Sequence, residues 1–185
     1  MCARQAVPRH DVFETPLGWC AVGDRGAGIC AFVLPTRDAE IAESELLGIV
    51  NGSRRNPRGF AEIRKAAERY FGGWTTTFDP FKLDLSAGTP FQQKVWSIVR
   101  GIPYGQVRTY RWIANEMGRP RAIRAVGGAT GANPIPLLIP CHRVISEDGR
   151  LCGFSALGGL DLKARMLEME GRRLFGEGHE RRVMA

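Results

Sequence analysis

The stretch Ile135-Pro136-Leu137-Leu138-Ile139-Pro140-Cys141-His142-Arg143-Val144-Ile145 organises the reading of this chain. An apolar run enters a proline, is interrupted by a thiol, an imidazole and a guanidinium in succession, and then resumes. Pro140 has no backbone donor and restrains the residue before it to extended geometry, which predicts a fixed kink at Cys141. A free thiol, with a pKa of roughly 8.5, is mostly protonated near neutrality and needs a base or a positive field to become a nucleophile. Taken alone, a Cys-His pair is more often a small buried hydrophobe beside a satisfied core histidine. The rest of the chain reverses that balance.

C-terminal to this stretch, Ser146-Glu147-Asp148-Gly149 predicts a hairpin turn and Leu160 to Glu170 a helix closed by Gly171. Helical spacing puts Lys163, Leu167 and Glu170 on one face and leaves Arg165 and Glu168 outward. An inward carboxylate in a last turn needs a partner, and His142 is a plausible one; a frayed, solvent-reaching Glu170 is the alternative. N-terminal to it, Thr109 caps a short helix, Tyr110 to Met117. Gly118-Arg119-Pro120 turns the chain, and Ala122 to Thr130 forms a second short helix. Two short helices about a glycine-containing turn make the helix-turn-helix pattern. Arg108, Arg111, Arg119, Arg121 and Arg124 surround the pair, while Ala125-Val126-Gly127-Gly128-Ala129-Thr130 is small and smooth. Such a helix lets a partner surface approach closely, at some cost in helix propensity. Tight helix-helix packing and a solvated arginine face are the competing reading. Further upstream, Thr89-Pro90-Phe91-Gln92 has the signature of a capped helix start, and that helix runs to about Arg100 with Phe91, Val95, Ile98 and Val99 inward.

The composition changes near Ser86. Before it, residues 11 to 34 read as strands about a Gly23-Asp24-Arg25-Gly26 turn. Asp38 to Val50 has helical spacing, Asn51 to Pro57 is a loop, and a helix carries Phe60, Ile63, Ala67, Tyr70 and Phe71 to Gly72-Gly73. Phe78 to Leu85 is a last extended segment. Nothing in this half resembles a catalytic constellation. The expected organisation is therefore an α/β scaffold over 1–85, a mainly α domain over 86–175 carrying the chemistry, and a flexible tail over 176–185.

The net charge of +7 over 185 residues favours an acidic partner, nucleic acid first, or simple solubility. Five cysteines form an odd set without a Cys-x-x-Cys pair, which argues against a disulfide framework and a zinc ribbon. No apolar stretch approaches the roughly 20 residues that span a bilayer, and the N-terminus lacks a signal-peptide core. A reduced, cytoplasmic protein is expected, nucleoid-associated in a bacterium or nuclear in a eukaryote.

Pro140-Cys141-His142-Arg143-Val144, preceded by Arg124-Ala125-Val126-Gly127-Gly128-Ala129 and Asn133-Pro134, resembles the O6-alkylguanine-DNA alkyltransferases, strongly from about Thr89 to Gly171 and weakly before Leu85. The resemblance implies a ribonuclease H-like N-terminal α/β subdomain and a C-terminal helical domain with a helix-turn-helix. It implies a stoichiometric, irreversible transfer of the alkyl group from O6-alkylguanine in double-stranded DNA to Cys141, with base flipping. His142 acts as base through a water, Glu170 orients the histidine, and Tyr110 donates to the departing guanine ring. Arg124 enters the base stack, with Ala125, Gly127, Gly128, Thr130, Arg111 and Arg119 also toward DNA. Val144, Phe154 and Ser155 line the base pocket, Asn133 braces the turn before the active-site segment, and Lys163 lies near the site. A monomer is expected, with no cofactor. Some members bind zinc in the N-terminal subdomain, but Cys2, Cys20, Cys30 and His10 show no ligand spacing, so no metal is expected. The Cys152–Gly159 loop is slightly longer than in some relatives. Two rivals stand beside this reading: a non-catalytic lesion binder, and a Cys-His-Glu hydrolase that leaves the arginine-rich helices unexplained.

Overall fold

The computed structural model describes residues 7–176 and 181–183. The chain divides between Leu85 and Ser86 into two compact units. In the first, strands β1 (Arg9–Thr15), β2 (Gly18–Asp24), β3 (Ile29–Thr36) and β4 (Arg54–Arg55) form a sheet in the order β3-β2-β1-β4. The first three are antiparallel neighbours and β4 runs parallel to β1. A second hairpin, at Thr15-Pro16-Leu17-Gly18, lies inside the stretch where the sequence showed only the Gly23–Gly26 turn. Thr15 Oγ1 closes it by donating to the Gly18 carbonyl at 2.8 Å. Gly18, at φ +128°, is required there, because a Cβ would sit 2.3 Å from the Thr36 carbonyl oxygen.

Helix α1 (Ala39–Ile49) starts on Asp38, whose carboxylate accepts from Ile41 N at 2.9 Å. It lays Ala42 and Leu46 on Val12, Ala21, Ala31 and Val33 of the sheet. The expected loop from Asn51 to Pro57 contains β4, too short to show a periodicity. It is followed by a 3-10 turn (Pro57–Phe60) and α2 (Ala61–Phe71), which buries Ile63, Ala67, Tyr70 and Phe71. The segment from Phe78 to Leu85 forms no named strand; it covers the β3 edge through a bridge from Leu83 to Ile29 and through Asp84 N donating to the Ile29 carbonyl. Cys20 and Cys30 are buried, and burial pushes both thiols up. His10 is held by Ser53 at 2.8 Å and Glu43 at 3.2 Å. Cys2 lies outside the described residues.

The second unit is built from α3 (Pro90–Arg100), α4 (Tyr110–Glu116), α5 (Ile123–Gly131) and α6 (Gly159–Met169). The Thr89–Gln92 capping box is complete in both directions. The face α3 turns inward differs from expectation: Val95, Trp96 and Val99 are buried, whereas Phe91 and Ile98 are half-exposed. Trp96 wins the inward position because its indole Nε1 donates to the Ala129 carbonyl of α5 at 2.8 Å, and its ring occupies the space over Gly88. Thr109 caps α4 by accepting from Trp112 N at 3.1 Å. Residues 117–122 connect α4 to α5, and the two helices pack on each other and on α3. A parallel pair of two-residue strands, β5 (Arg108–Thr109) and β6 (Val144–Ile145), joins the start of α4 to the Cys-His segment.

The expected flexible tail is corrected in part. β8 (Arg182–Val183) pairs antiparallel with β7 (Leu174–Phe175). Val183 is drawn in because it completes an apolar cluster with Ile145, Leu151, Ala164 and Leu167. Residues 177–180 and 184–185 lie outside the described residues.

Candidate functional site

Cys141, His142 and Arg143 form one turn of 3-10 helix directly after Pro140, so the predicted kink is a tight helical turn rather than an interrupted strand. Two devices hold the approach to it. Leu137 adopts φ +75°, the left-handed region that a branched side chain rarely enters. Asn133 spans the bend: its Nδ2 donates to the Ile139 carbonyl at 2.8 Å and its Oδ1 accepts from Ile135 N at 3.0 Å. The short run between α5 and Cys141 is thereby pinned from inside.

The three consecutive side chains of this turn are all buried. His142 Nε2 lies 2.8 Å from Glu170 Oε1 at the C-terminus of α6. Arg143 clamps the same carboxylate, with Nη2 donating to Oε1 at 2.9 Å and Nε to Oε2 at 2.9 Å. Gly105 N donates to Oε2 at 3.0 Å, and Arg143 Nη1 donates to the Ile102 carbonyl at 2.6 Å. A buried charge is tolerable only when paired and hydrogen-bonded, and Glu170 is both. Burial alone would raise its pKa, but the hydrogen bonds from His142 and Arg143 and the Arg143 charge outweigh burial and bring it down to about 2. Sequence reasoning paired Glu170 with His142 but missed Arg143, the stronger anchor. The available signal was a guanidinium inside an apolar run, which demands a buried anion.

Burial pushes the Cys141 thiol up, eased by hydrogen bonding to Asn133 and by the charge of Lys163. The resting sulfur is therefore a thiol, not the standing thiolate that a reactive cysteine would suggest. Burial also pulls His142 down, more than Glu170 lifts it, so the imidazole is neutral and able to take a proton.

Tyr110, at the first position of α4, donates from its hydroxyl to the Cys152 carbonyl over a long 3.3 Å. Burial foremost, then the nearby Cys152 and Cys141 sulfurs, push its pKa up, so it keeps its proton. Gly153, at φ +62°, gives the phenol its room: a Cβ there would stand 2.6 Å from the hydroxyl oxygen. Val144 is fully buried, Phe154 is half-buried under the Lys163 ammonium, and Ser155 is exposed and donates to the Gly131 carbonyl at 2.9 Å. That bond ties the loop to the end of α5.

On α5, Arg124, Ala125 and Gly128 are exposed on one face, with Gly127 half-buried beside Tyr110. Cβ atoms added at Gly128 and Gly131 would meet nothing within 4 Å. Internal packing thus does not require glycine at either position, against the tight-packing reading. Arg119 is exposed over the Phe91 ring, and Arg111 is exposed and paired with Glu147. Thr130 is a correction. It is only 2% exposed, and its hydroxyl donates back to the Val126 carbonyl at 2.8 Å, so it faces the core and not a partner.

The family described as "6-O-methylguanine DNA methyltransferase, DNA binding domain" matches residues 90–172. A methylated-DNA–protein-cysteine methyltransferase of Methanosarcina barkeri is 39% identical over 167 residues, covering 89% of this chain and 98% of that protein. The structure of Mycobacterium tuberculosis O6-methylguanine methyltransferase superposes with a TM-score of 0.72 at 35% identity, covering 89% of this chain and 93% of that one. A structure from the same organism in complex with DNA also gives 0.72 at 35% identity, over 88% and 92%. With its Cys-His turn, its carboxylate anchor and these likenesses, the chain belongs to the methylated-DNA–protein-cysteine methyltransferase family.

Proposed function

We propose that this protein repairs DNA by direct reversal, moving the alkyl group of O6-alkylguanine in double-stranded DNA onto Cys141 and stopping there. The observation that carries the reading is the Cys141–His142 turn with its imidazole bonded to Glu170 at 2.8 Å. A neutral base and a buried thiol in one turn, backed by an immobile carboxylate, make a nucleophile on demand.

The O6 carbon of an alkylated guanine is stacked inside the duplex, so in-line attack requires the nucleotide to rotate out. Flipping costs a few kcal/mol, less for a poorly paired lesion. The α4–α5 pair serves as a helix-turn-helix whose smooth α5 face meets the minor groove. There Ala125, Gly127 and Gly128 permit close approach, Arg124 takes the vacated place in the stack, and Arg111 and Arg119 meet phosphates. Arg111 must exchange Glu147 for a phosphate to do so. Val144, Phe154 and Ser155 receive the flipped base. The N-terminal unit, of ribonuclease H-like type in this reading, is scaffold.

In the chemical step the Cys141 proton passes through a water to His142, and the imidazolium is stabilised by Glu170. The sulfur then attacks the alkyl carbon; the S–C bond forms and the C–O6 bond breaks, its electron pair returning to the purine. Tyr110 relieves that charge by donating to the ring, which makes guanine a competent leaving group. Overall the thiol loses one proton, the departing guanine gains one, and the protein keeps a thioether. No hydrolytic step follows, so each molecule reacts once, as a monomer and without a cofactor. Its place is at the DNA, in the nucleoid of a bacterium or the nucleus of a eukaryote.

Incubation with an O6-methylguanine oligonucleotide is expected to add one methyl mass, located on the Cys141 peptide, while Cys141→Ala still binds the DNA. Binding without any mass gain would establish a non-catalytic lesion binder instead, and multiple turnover on an ester or amide would establish a hydrolase.

A further inference from the structure

After the 90–172 segment that matches the family has ended, the chain comes back to the candidate pocket. β8 lies between two neighbours. On one side it pairs with β7. On the other it meets the segment from Gly149 to Leu151. Val183 N donates to the Gly149 carbonyl at 3.0 Å, and Leu151 N donates to the Arg181 carbonyl at 2.9 Å. Between those two bonds Arg150 and Arg182 stand opposite each other as an antiparallel bridge. Arg181 Nη1 also donates to Oδ1 of Asp161, in the first turn of α6, at 2.8 Å. The Val183 side chain enters the cluster of Ile145, Leu151, Ala164 and Leu167. Each of these partners adjoins the site along the chain: Ile145 follows Val144, Leu151 precedes Cys152, and Ala164 and Leu167 belong to the helix that ends at Glu170.

The two sides of the pocket differ in stiffness. The Cys141 turn is pinned by Asn133 and by the contacts of Arg143 with Glu170. The opposite side, from Cys152 to Gly158, contains no helix or strand and has left-handed glycines at 153 and 158. Glycine leaves the backbone more conformations than any other residue, so this loop has little rigidity of its own. Yet it carries Phe154 and Ser155. Bonds from Lys163 to the Cys152 carbonyl and from Ser155 to the Gly131 carbonyl tether it at two points, but neither sets the register of the backbone entering it. That register is set at Leu151, whose N–H is bonded to the C-terminal strand. A slip of one residue along β8 would turn the buried Leu151 outward and Arg150 inward, so the pairing is specific. Any apolar side chain could cover Ile145 and Leu167; bonds to Gly149 and Leu151 do more, because they fix where the loop begins.

We infer that the C-terminal strand is a positioning element for alkyl transfer, a clasp in which the Arg181–Val183 backbone and the Val183 side chain hold the Phe154–Ser155 loop in register against α6 and the strand leaving Cys141. This rests on the alkyl-transfer reading above. The Cys141 turn has its own anchors, so the clasp governs the pocket and not the reactivity of the sulfur.

That division supplies the test. Val183→Asp in the full chain puts a carboxylate into an apolar cluster and releases the strand. Hydrogen exchange at the Leu151 amide is expected to accelerate in the variant, reporting the lost bond directly. Methyl transfer from an O6-methylguanine oligonucleotide at saturating DNA, followed by mass spectrometry, is expected to slow roughly 10-fold, since small misplacements of a binding surface are costly to a reaction that needs alignment. Alkylation of Cys141 by iodoacetamide, which needs the turn but not the pocket, is expected to proceed at the wild-type rate. Should Val183→Asp not fold, Val183→Ala decides in its place, with the same contrast on a smaller scale. Wild-type protein that takes up no methyl group refutes alkyl transfer itself. With wild type active, three results refute the clasp alone: an unchanged Leu151 amide, methyl transfer at the wild-type rate once that amide is exposed, or equal slowing of methyl transfer and iodoacetamide, which marks a general loss of structure.

Discussion

Arg143 illustrates how one side chain decides what its neighbours can do. It engages both oxygens of Glu170 and spends a third donor on the Ile102 carbonyl, leaving His142 a carboxylate that is already immobile. Removing one partner of a buried ion pair strands the other, so Arg143→Ala is expected to destabilise the protein by about 3–5 kcal/mol, read by urea denaturation. A Lys replacement will not restore the two-pronged contact. The same group of residues sets the response to acid. Glu170 is depressed in the folded state from 4.5 to about 2, so its contribution is complete above pH 4.5 and is lost as pH falls toward 2. His142 is also depressed, and its neutral burial favours folding above its unfolded value near 6.5 and progressively less below it. Stability measured against pH is therefore expected to decline from about 6.5 downward, in two overlapping stages. Glu170→Gln should remove the lower stage.

Helix α5 shows what an element contributes that its residues singly do not. Its buried side packs Val126 and Ala129 inward and uses the Ala129 carbonyl to hold Trp96 of α3. Its exposed side has almost no side-chain relief apart from Arg124. Glycine in a helix interior costs up to about 1 kcal/mol against alanine. Because the space over Gly128 is open, Gly128→Leu is expected to raise thermal stability slightly while weakening binding to duplex DNA. Unchanged DNA affinity would show that the smooth face is not the contact surface, and a loss of stability would show that the space over Gly128 is not free. Arg124→Ala is expected to slow repair in duplex DNA far more than reaction with free O6-benzylguanine, since only the duplex requires an occupant for the vacated stack. Equal slowing of both would place Arg124 elsewhere in the mechanism.

For the whole molecule the relevant quantity is the net charge of +7. If Arg111 and Arg119 meet phosphates as proposed, binding releases counterions, so affinity should fall linearly on a log–log plot against salt, with a slope near −0.9 per phosphate neutralised. Arg119→Ala is expected to reduce that slope by about 1 and to weaken binding equally to damaged and undamaged DNA. Reaction with the free base should be nearly insensitive to salt, because the buried ion pairs of the site are poorly screened.

Local signals and tertiary signals were legible to different degrees. The Thr89 capping box, the Thr109 cap and the inward face of α6 depend on chemistry within a turn or two of chain, and the sequence alone determined them. So did the placing of Cys141, His142 and Arg143 at a break in an apolar run, because proline geometry acts on its immediate neighbour. The Thr15–Gly18 hairpin, the two-residue β4 and the pairing of Val183 were not legible, since each is stabilised by partners distant in the chain and too short to carry a period. Thr130 was expected toward DNA with its neighbours on the resemblance, yet α5, anchored to Trp96 through the Ala129 carbonyl, turns it inward. The protonation states belong wholly to tertiary structure. Residue types nominate a thiol, an imidazole, a carboxylate and a phenol, but only burial, opposed by Asn133 and Lys163, makes the first a resting thiol, burial makes the second a neutral base against the pull of Glu170, and the bonds of His142 and Arg143 make the third a fixed anion. Side-chain chemistry is written in the covalent chain, whereas the electric field that tunes it exists only after distant charges have been brought together out of water.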